Sequence, residues 1–180
     1  MNIQAQSRSC CAPLRQLCEC HRQIQESLRK LHDVILEAPL CALPPPYKKR
    51  LRGALDFLRI VVPGHMLDKE LSLFPRLRID PFAEMIISEL KRDHQRLGTL
   101  FQSVETYGQE WLRRSQIDGE RRAEFRLLII KTLNALKTHN RIEEQRLFPL
   151  AYGRLEPEDL HQIEQEMASR RSRLRSLAMK

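Results

Sequence analysis

Four histidines stand where helical apolar stripes would otherwise carry a leucine or isoleucine, and two of them open related segments of the chain. His139-Asn140-Arg141-Ile142-Glu143 is followed by Leu147-Phe148-Pro149, and an altered copy appears earlier as His65-Met66-Leu67-Asp68-Lys69 before Leu73-Phe74-Pro75. In both copies the Phe lies nine residues after the His. One more His precedes each copy at nearly the same interval: His21 is 44 residues before His65, and His94 is 45 before His139. Neutral imidazole is a common metal ligand, and imidazole with carboxylate suits iron, manganese or zinc. Residues four apart on a helix are stacked about one turn apart and offset by roughly 40°, so His139 and Glu143 can present a nitrogen and a carboxylate to one region. The matched intervals point to a duplicated helical hairpin whose inward imidazoles meet as a metal site inside a four-helix bundle. A single His on an apolar stripe is ordinarily a hydrogen-bonded core residue, and a lone His-x-x-x-Glu is weak evidence. Four of them with repeated Phe-Pro endings are much harder to obtain that way. His32 and His161 fall outside the pattern and are assigned surface or capping roles.

Five helices are needed to position these residues. The first begins near Pro13 and carries Leu14, Leu17, His21, Ile24, Leu28, Leu31 and Ile35 at alternating steps of three and four, an inward stripe. Pro39 to Pro46, with its three consecutive prolines, reads as a stiff crossover. Helix two runs from about Lys48 to Phe74 with Leu51, Leu55, Leu58, Val62, His65 and Lys69 on one face. Pro63 lacks a backbone donor, which predicts a kink just before His65. Asp80-Pro81 supplies a cap and first-turn proline for helix three, whose stripe is Phe82, Ile86, Leu90, His94, Leu97, Phe101 and Val104. Asp118-Gly119 opens helix four, where Phe125, Leu128, Thr132, Leu136, His139 and Glu143 share a face and Phe148-Pro149 is expected to end the helix. A fifth helix over about 157–176, with Leu160, Ile163, Met167 and Leu174, should pack on the outside. The fold class is therefore all-α: an antiparallel four-helix bundle over about 13–150 with an additional basic carboxyl-terminal helix, the whole of 1–180 being one domain.

Composition narrows the setting. The chain has 31 Lys and Arg against 23 Asp and Glu, a formal charge of +8, and would attract polyanions or acidic partners. Arg170, Arg171, Arg173 and Arg175 crowd together, but without interleaved aromatics or a nucleic-acid-binding motif they read as a solvated helix end, and nucleic acid is not an expected partner. No apolar run is long enough to span a bilayer, and the first twenty residues lack the order of a cleaved secretory signal. Cys10, Cys11, Cys18, Cys20 and Cys41 are odd in number and crowded at one end, unlike a disulfide framework, so a cytoplasmic location is expected. Cys18 precedes His21 by one turn and could lie close to a metal, whereas Cys20 points elsewhere.

On His21, His65 with Leu73-Phe74-Pro75, His94, and His139 with Glu143 and Leu147-Phe148-Pro149, the chain resembles the hemerythrin-like (HHE cation-binding) family over about residues 13–150. The resemblance implies a non-haem di-iron site with a His from helices one and three and a His-x-x-x-Glu from helices two and four. It implies binding or sensing of dioxygen or a related small oxidant, iron storage, or the handling of peroxide and nitric oxide. Implied metal ligands are His21, His65, His94, His139 and Glu143.

The departure is Lys69, which stands where the family pattern places a second bridging Glu. An ammonium cannot bridge two cations, so Lys69 is a deprotonated amine, or the site is not an ordinary di-iron one, or the side chain snorkels outward or pairs with an acid. Asp68, offset by roughly 60° to the other side of His65, is the nearest substitute carboxylate, and Glu70 should face away. Two other classes stay open: a metal- or redox-responsive interaction module with an unknown protein partner, and a degenerate bundle without metal.

Overall fold

The structure, a computed structural model, describes residues 12–39, 42–78 and 80–178. Cys10, Cys11 and Cys41 lie outside the described residues, as does the side chain of Arg175. Helix α1 is Ala12–Glu37 and α2 is Pro45–Asp68, which passes through a π-helical turn, Lys69–Leu73, into the short α3, Phe74–Leu77. Helix α4 is Pro81–Arg114. Helix α5, Gly119–Ile142, continues through a second π-helical turn, Glu143–Leu147, into α6, Phe148–Arg154, and α7 is Pro157–Ala178. The result is four antiparallel rods and a fifth helix laid against them. In cross-section α1 sits between the α2 and α5 rods, and α4 touches the same two from the opposite corner.

The stripes on α1 and α2 bury as their spacing requires: every residue named on them above is buried. Asp80 caps α4 by accepting from the backbone amides of Phe82 and Ala83 at 2.8 and 3.2 Å, and Asp118 caps α5 by accepting from Arg121 N at 2.8 Å. These carboxylates satisfy amides that have no partner in a helix's first turn. At the far end of α4, Ser115 adopts a left-handed φ of 57°, stopping the helix. Its carbonyl accepts from Leu43 N at 2.7 Å, tying the two inter-helix connections at that end together.

Three expectations need correction. Pro45 and Pro46 belong to the first turn of α2 and not to a crossover, because the amides they lack would have had no partner there. Helix α2 continues through Pro63, and a π turn begins after His65, at Lys69. Phe148-Pro149 does not end its rod, nor does Phe74-Pro75. A proline ring crowds the carbonyl four residues back, and in both copies a π turn widens the helix just ahead of it: Phe74 N bonds Lys69 O and Phe148 N bonds Glu143 O, five residues apart. Phe82 is 51% exposed, its place in the stripe taken by buried Ala83.

Two apolar clusters fill the interior. One runs from Ile24 to Ile35 on α1, across α2 and α4, to Trp111 and Phe125. The other gathers Leu14, Leu17, Leu73, Phe74 and Leu147 with Leu160, Ile163 and Met167 of α7. Helix α7 is thus part of the core at one end. Each fully buried large aliphatic contributes on the order of 1.5–3 kcal/mol.

Glycines report how closely the rods approach. A Cβ on Gly108 would lie 2.5 Å from Leu55 Cδ1 and 3.1 Å from its Cγ, whereas one on Gly98 would meet nothing within 4 Å. Gly108→Ala is therefore expected to destabilise the fold by roughly 1–3 kcal/mol through overpacking. Gly98→Ala in the same helix is expected to stabilise it by roughly 0.5–1 kcal/mol. Thermal or urea unfolding of the two variants checks the pair, and a loss of stability from both would refute the packing asymmetry.

Candidate metal centre

His21 lies between Leu17 and Ile24 on its stripe, His94 between Leu90 and Leu97, His65 between Val62 and Leu73, and His139 between Leu136 and Leu147. In each case one flanking residue belongs to each apolar cluster. The histidines consequently meet in a single polar layer that divides the core. None of His21, His65, His94, His139 or Glu143 is more than 5% exposed.

Glu143 is at the centre of this layer. Its Oε2 is 2.8 Å from His21 Nε2, while its Oε1 is 3.2 Å from His139 Nε2 and 3.8 Å from His94 Nε2. Two donor groups result, His21–His65–Glu143 and His94–His139–Glu143, and within each the ligand atoms lie within 4.8 Å of one another. Burial alone would raise the Glu143 pKa; Lys69, His139 and His21 outweigh it and hold the carboxyl well below its usual range. Burial, reinforced by the charge of Lys69, pushes the His65 imidazole well below its usual range, which keeps it neutral as a ligand must be.

The donor atoms suit a transition ion. Neither ring nitrogen of His65 has a hydrogen-bond partner among the described residues, nor does His94 Nε2. A buried polar atom left without a partner costs roughly 1–3 kcal/mol, and a bound ion is a partner that imidazole nitrogens accept. With His21 Nδ1–H donating to Glu144 at 2.7 Å, the facing Nε2 and Glu143 Oε2 are both lone-pair atoms. Such a pair needs a cation or a proton beside it.

The surroundings repeat with the duplication. Glu144 Oε1 lies 2.7 Å from His21 Nδ1, and Glu70 Oε1 lies 2.5 Å from His94 Nδ1. Phe148 stacks on His21 with ring centres 6.0 Å apart, and Phe74 stacks on His94 at 5.9 Å. Carboxylates behind ligand imidazoles fix the tautomer and raise basicity. Glu70 was expected to face away; the π turn that begins at Lys69 holds more residues per turn, which lets both Lys69 and Glu70 serve the layer. The signal lay in the duplication, because Lys69-Glu70 aligns with Glu143-Glu144 and each Glu follows its His by five.

Lys69 does not snorkel. It is 1% exposed, with Nζ 2.6 Å from Glu143 Oε1 and 3.3 Å from His139 Nε2. The contact with Glu143 is a charge contact and not an aligned hydrogen bond. Burial lowers the Lys69 pKa and the Glu143 charge opposes that shift.

Asp68 belongs to neither donor group. Its offset from His65 turns it to α7, where its carboxylate accepts from Arg170 and, at 3.1 Å, from Arg171 Nε. Arg170 also donates to Ser72 Oγ at 3.1 Å, and Arg171 to Gln16 Oε1 at 3.1 Å. These two arginines are therefore not a solvated helix end, because a fully buried carboxylate requires them; Arg173 is exposed as expected. Cys18 is exposed and belongs to neither donor group, although the charges of Glu144 and Glu143 reach it and add to burial in raising its thiol pKa, while Cys20 lies 3.8 Å from Arg171 Nη2. Cys20, Gly64, His65, Arg171 and Leu174 border a cavity of about 160 Å³ beside the layer, room for a small molecule only. His32 is half-buried in α1, and exposed His161 bonds Gln165 at 2.9 Å.

Four inward histidines around a shared carboxylate give this helical bundle a donor set that could hold a cation. The family model of the hemerythrin HHE cation-binding domain matches residues 12–151, and the chain belongs to that family. Helix α7 starts beyond the matched segment. Comparison with curated proteins and with solved structures found no match.

Two outcomes follow from this geometry. Glu144→Gln is expected to weaken metal binding by roughly 10–100-fold, while Glu158→Gln on exposed α7 surface leaves it unchanged; equal affinities by metal titration would remove Glu144 from the centre. Asp68→Ala should destabilise the protein by on the order of 2 kcal/mol, less than a fully buried pair because both arginines are partly exposed. It should also raise amide exchange in α7, and unchanged exchange would show that the arginines do not anchor the helix.

Proposed function

We propose that this protein is a non-haem iron protein that binds, senses or detoxifies a small oxidant of the dioxygen, peroxide or nitric oxide class. The single observation that carries the reading is the shared Glu143, which joins two buried histidine pairs into one donor set. Family membership supports metal binding, and the nitrogen-rich set with one carboxylate suits iron, with manganese or zinc as alternatives. A bound iron would supply the change of oxidation state and a coordination position for the oxidant. The chain does the rest. Burial holds the His65 and His139 imidazoles neutral, Glu70 and Glu144 orient those of His94 and His21, and the apolar clusters on either side keep bulk water from the layer. Lys69 places N–H donors inside it. The cavity of about 160 Å³ beside His65 offers room for a small molecule. Among the described residues no helix is long and apolar enough to cross a membrane.

A second reading, a metal- or redox-responsive interaction module, is favoured by one contact. Asp68, the anchor of α7, is the covalent neighbour of Lys69 in the layer, so a change at the centre has a short route to the basic helix.

Iron analysis of the full chain loaded anaerobically with Fe(II) tests the proposal. The wild type is expected to retain at least one iron per chain and to change its visible spectrum on addition of peroxide. Glu143→Ala is expected to lose at least nine-tenths of the iron with its helical circular dichroism intact. A wild-type chain that retains no iron sinks the reading.

A further inference from the structure

We infer that this chain holds one metal ion and not two, in the His21–His65–Glu143 half of the layer, and that the Lys69 amine takes the place of a second ion among Glu143, His139 and His94. The inference rests on the metal-binding reading above and specifies it.

Geometry carries the argument. The two oxygens of Glu143 are divided: Oε2 faces His21 Nε2 at 2.8 Å, and Oε1 faces Lys69 Nζ at 2.6 Å. Lys69 Nζ is also 3.3 Å from His139 Nε2. It therefore sits against two of the three donor atoms of the His94–His139–Glu143 group and none of the histidine donors of the other group among the contacts found. An ion using the same oxygen and the same imidazole nitrogen would compete with that amine for one space. The side chain is almost wholly buried, so no solvated position is open to it without unpacking the layer.

Symmetry and charge agree. Lys69 and Glu143 occupy corresponding positions, each four residues after its His and each first in a π turn. The duplication that would deliver a second central carboxylate delivers a cation instead. One dication together with Lys69 is matched in charge by Glu143, Glu70 and Glu144, all in contact with layer residues. A second dication would leave the layer with two uncompensated positive charges, which a desolvated site disfavours strongly. Neither nearby aspartate makes up the difference: Asp68 is held by two arginines, and Asp93, 3.6 Å from His139 Nδ1, has Arg96 at 3.7 Å.

The functional consequence is a restriction. A lone ion has no neighbouring ion with which to share a two-electron change, so oxygen carriage by that route is closed to this centre. One-electron exchange and ligand sensing remain.

The test is a titration of the metal-free full chain with Fe(II) under anaerobic conditions and with Zn(II) as a redox-silent probe, read by calorimetry and elemental analysis. One ion per wild-type chain and two per Lys69→Glu chain are expected. His65→Ala should weaken that ion at least tenfold, and by clearly more than His94→Ala does. Lys69→Met, which removes the amine without adding a ligand, should keep the first ion at similar affinity. Two ions per wild-type chain, or one ion still in folded Lys69→Glu, overturns the inference and leaves the metal-binding reading standing. Loss of the ion in His94→Ala but not in His65→Ala overturns the location, and loss in Lys69→Met makes the amine a ligand and overturns its role. No binding by wild type overturns the metal-binding reading itself.

Discussion

A fully buried carboxylate at the centre of a helical bundle is the constraint on which the rest of this structure depends. Glu143 can stay ionised away from water only if positive charge or hydrogen-bond donors face both of its oxygens. His139 faces it from one turn back on the same rod, and His21 and Lys69 face it from two neighbouring rods. Because these partners come from different helices, the carboxylate fixes the axial register of the rods relative to one another. A slide by one turn would leave Glu143 among leucines.

The two π turns solve a second problem at the same place. Each rod that carries a His followed by a Phe-Pro must bring its ligand residues, the residue after them and a stacking aromatic to one layer, and must then pass a proline without breaking. Widening the helix for one turn does both. It turns consecutive residues, Lys69 with Glu70 and Glu143 with Glu144, toward the layer, and it relieves the crowding that Pro75 and Pro149 would impose on a regular α-helix. The same local distortion occurs twice because the sequence around it occurs twice.

Helix α7 extends the bundle beyond the matched family segment. Its apolar residues complete the core at the end beyond the layer, and its two arginines neutralise Asp68. That carboxylate needs them, since burial raises its pKa and only the guanidinium groups counter the shift. The basic tail of the chain is in this way partly an internal counter-charge, and the net charge of the sequence overstates how much positive surface the molecule offers.

Periodicity alone determined a good deal. The stripes of α1 and α2 and the inward facing of His21, His65, His94, His139 and Glu143 follow from spacing at three and four residues, because a helix converts sequence intervals into faces, and the aspartate caps of α4 and α5 follow from residue type. What spacing could not give was anything decided between helices or by a change in helical pitch. Whether Lys69 pointed in or out, whether Asp68 met a metal or an arginine, and why Glu70 faces inward depended on which rod lies alongside and on a π turn that the residue pattern does not announce. Those choices are settled by desolvation: a charge enters the core only where another element supplies its partner, and that partner is brought there by the tertiary fold.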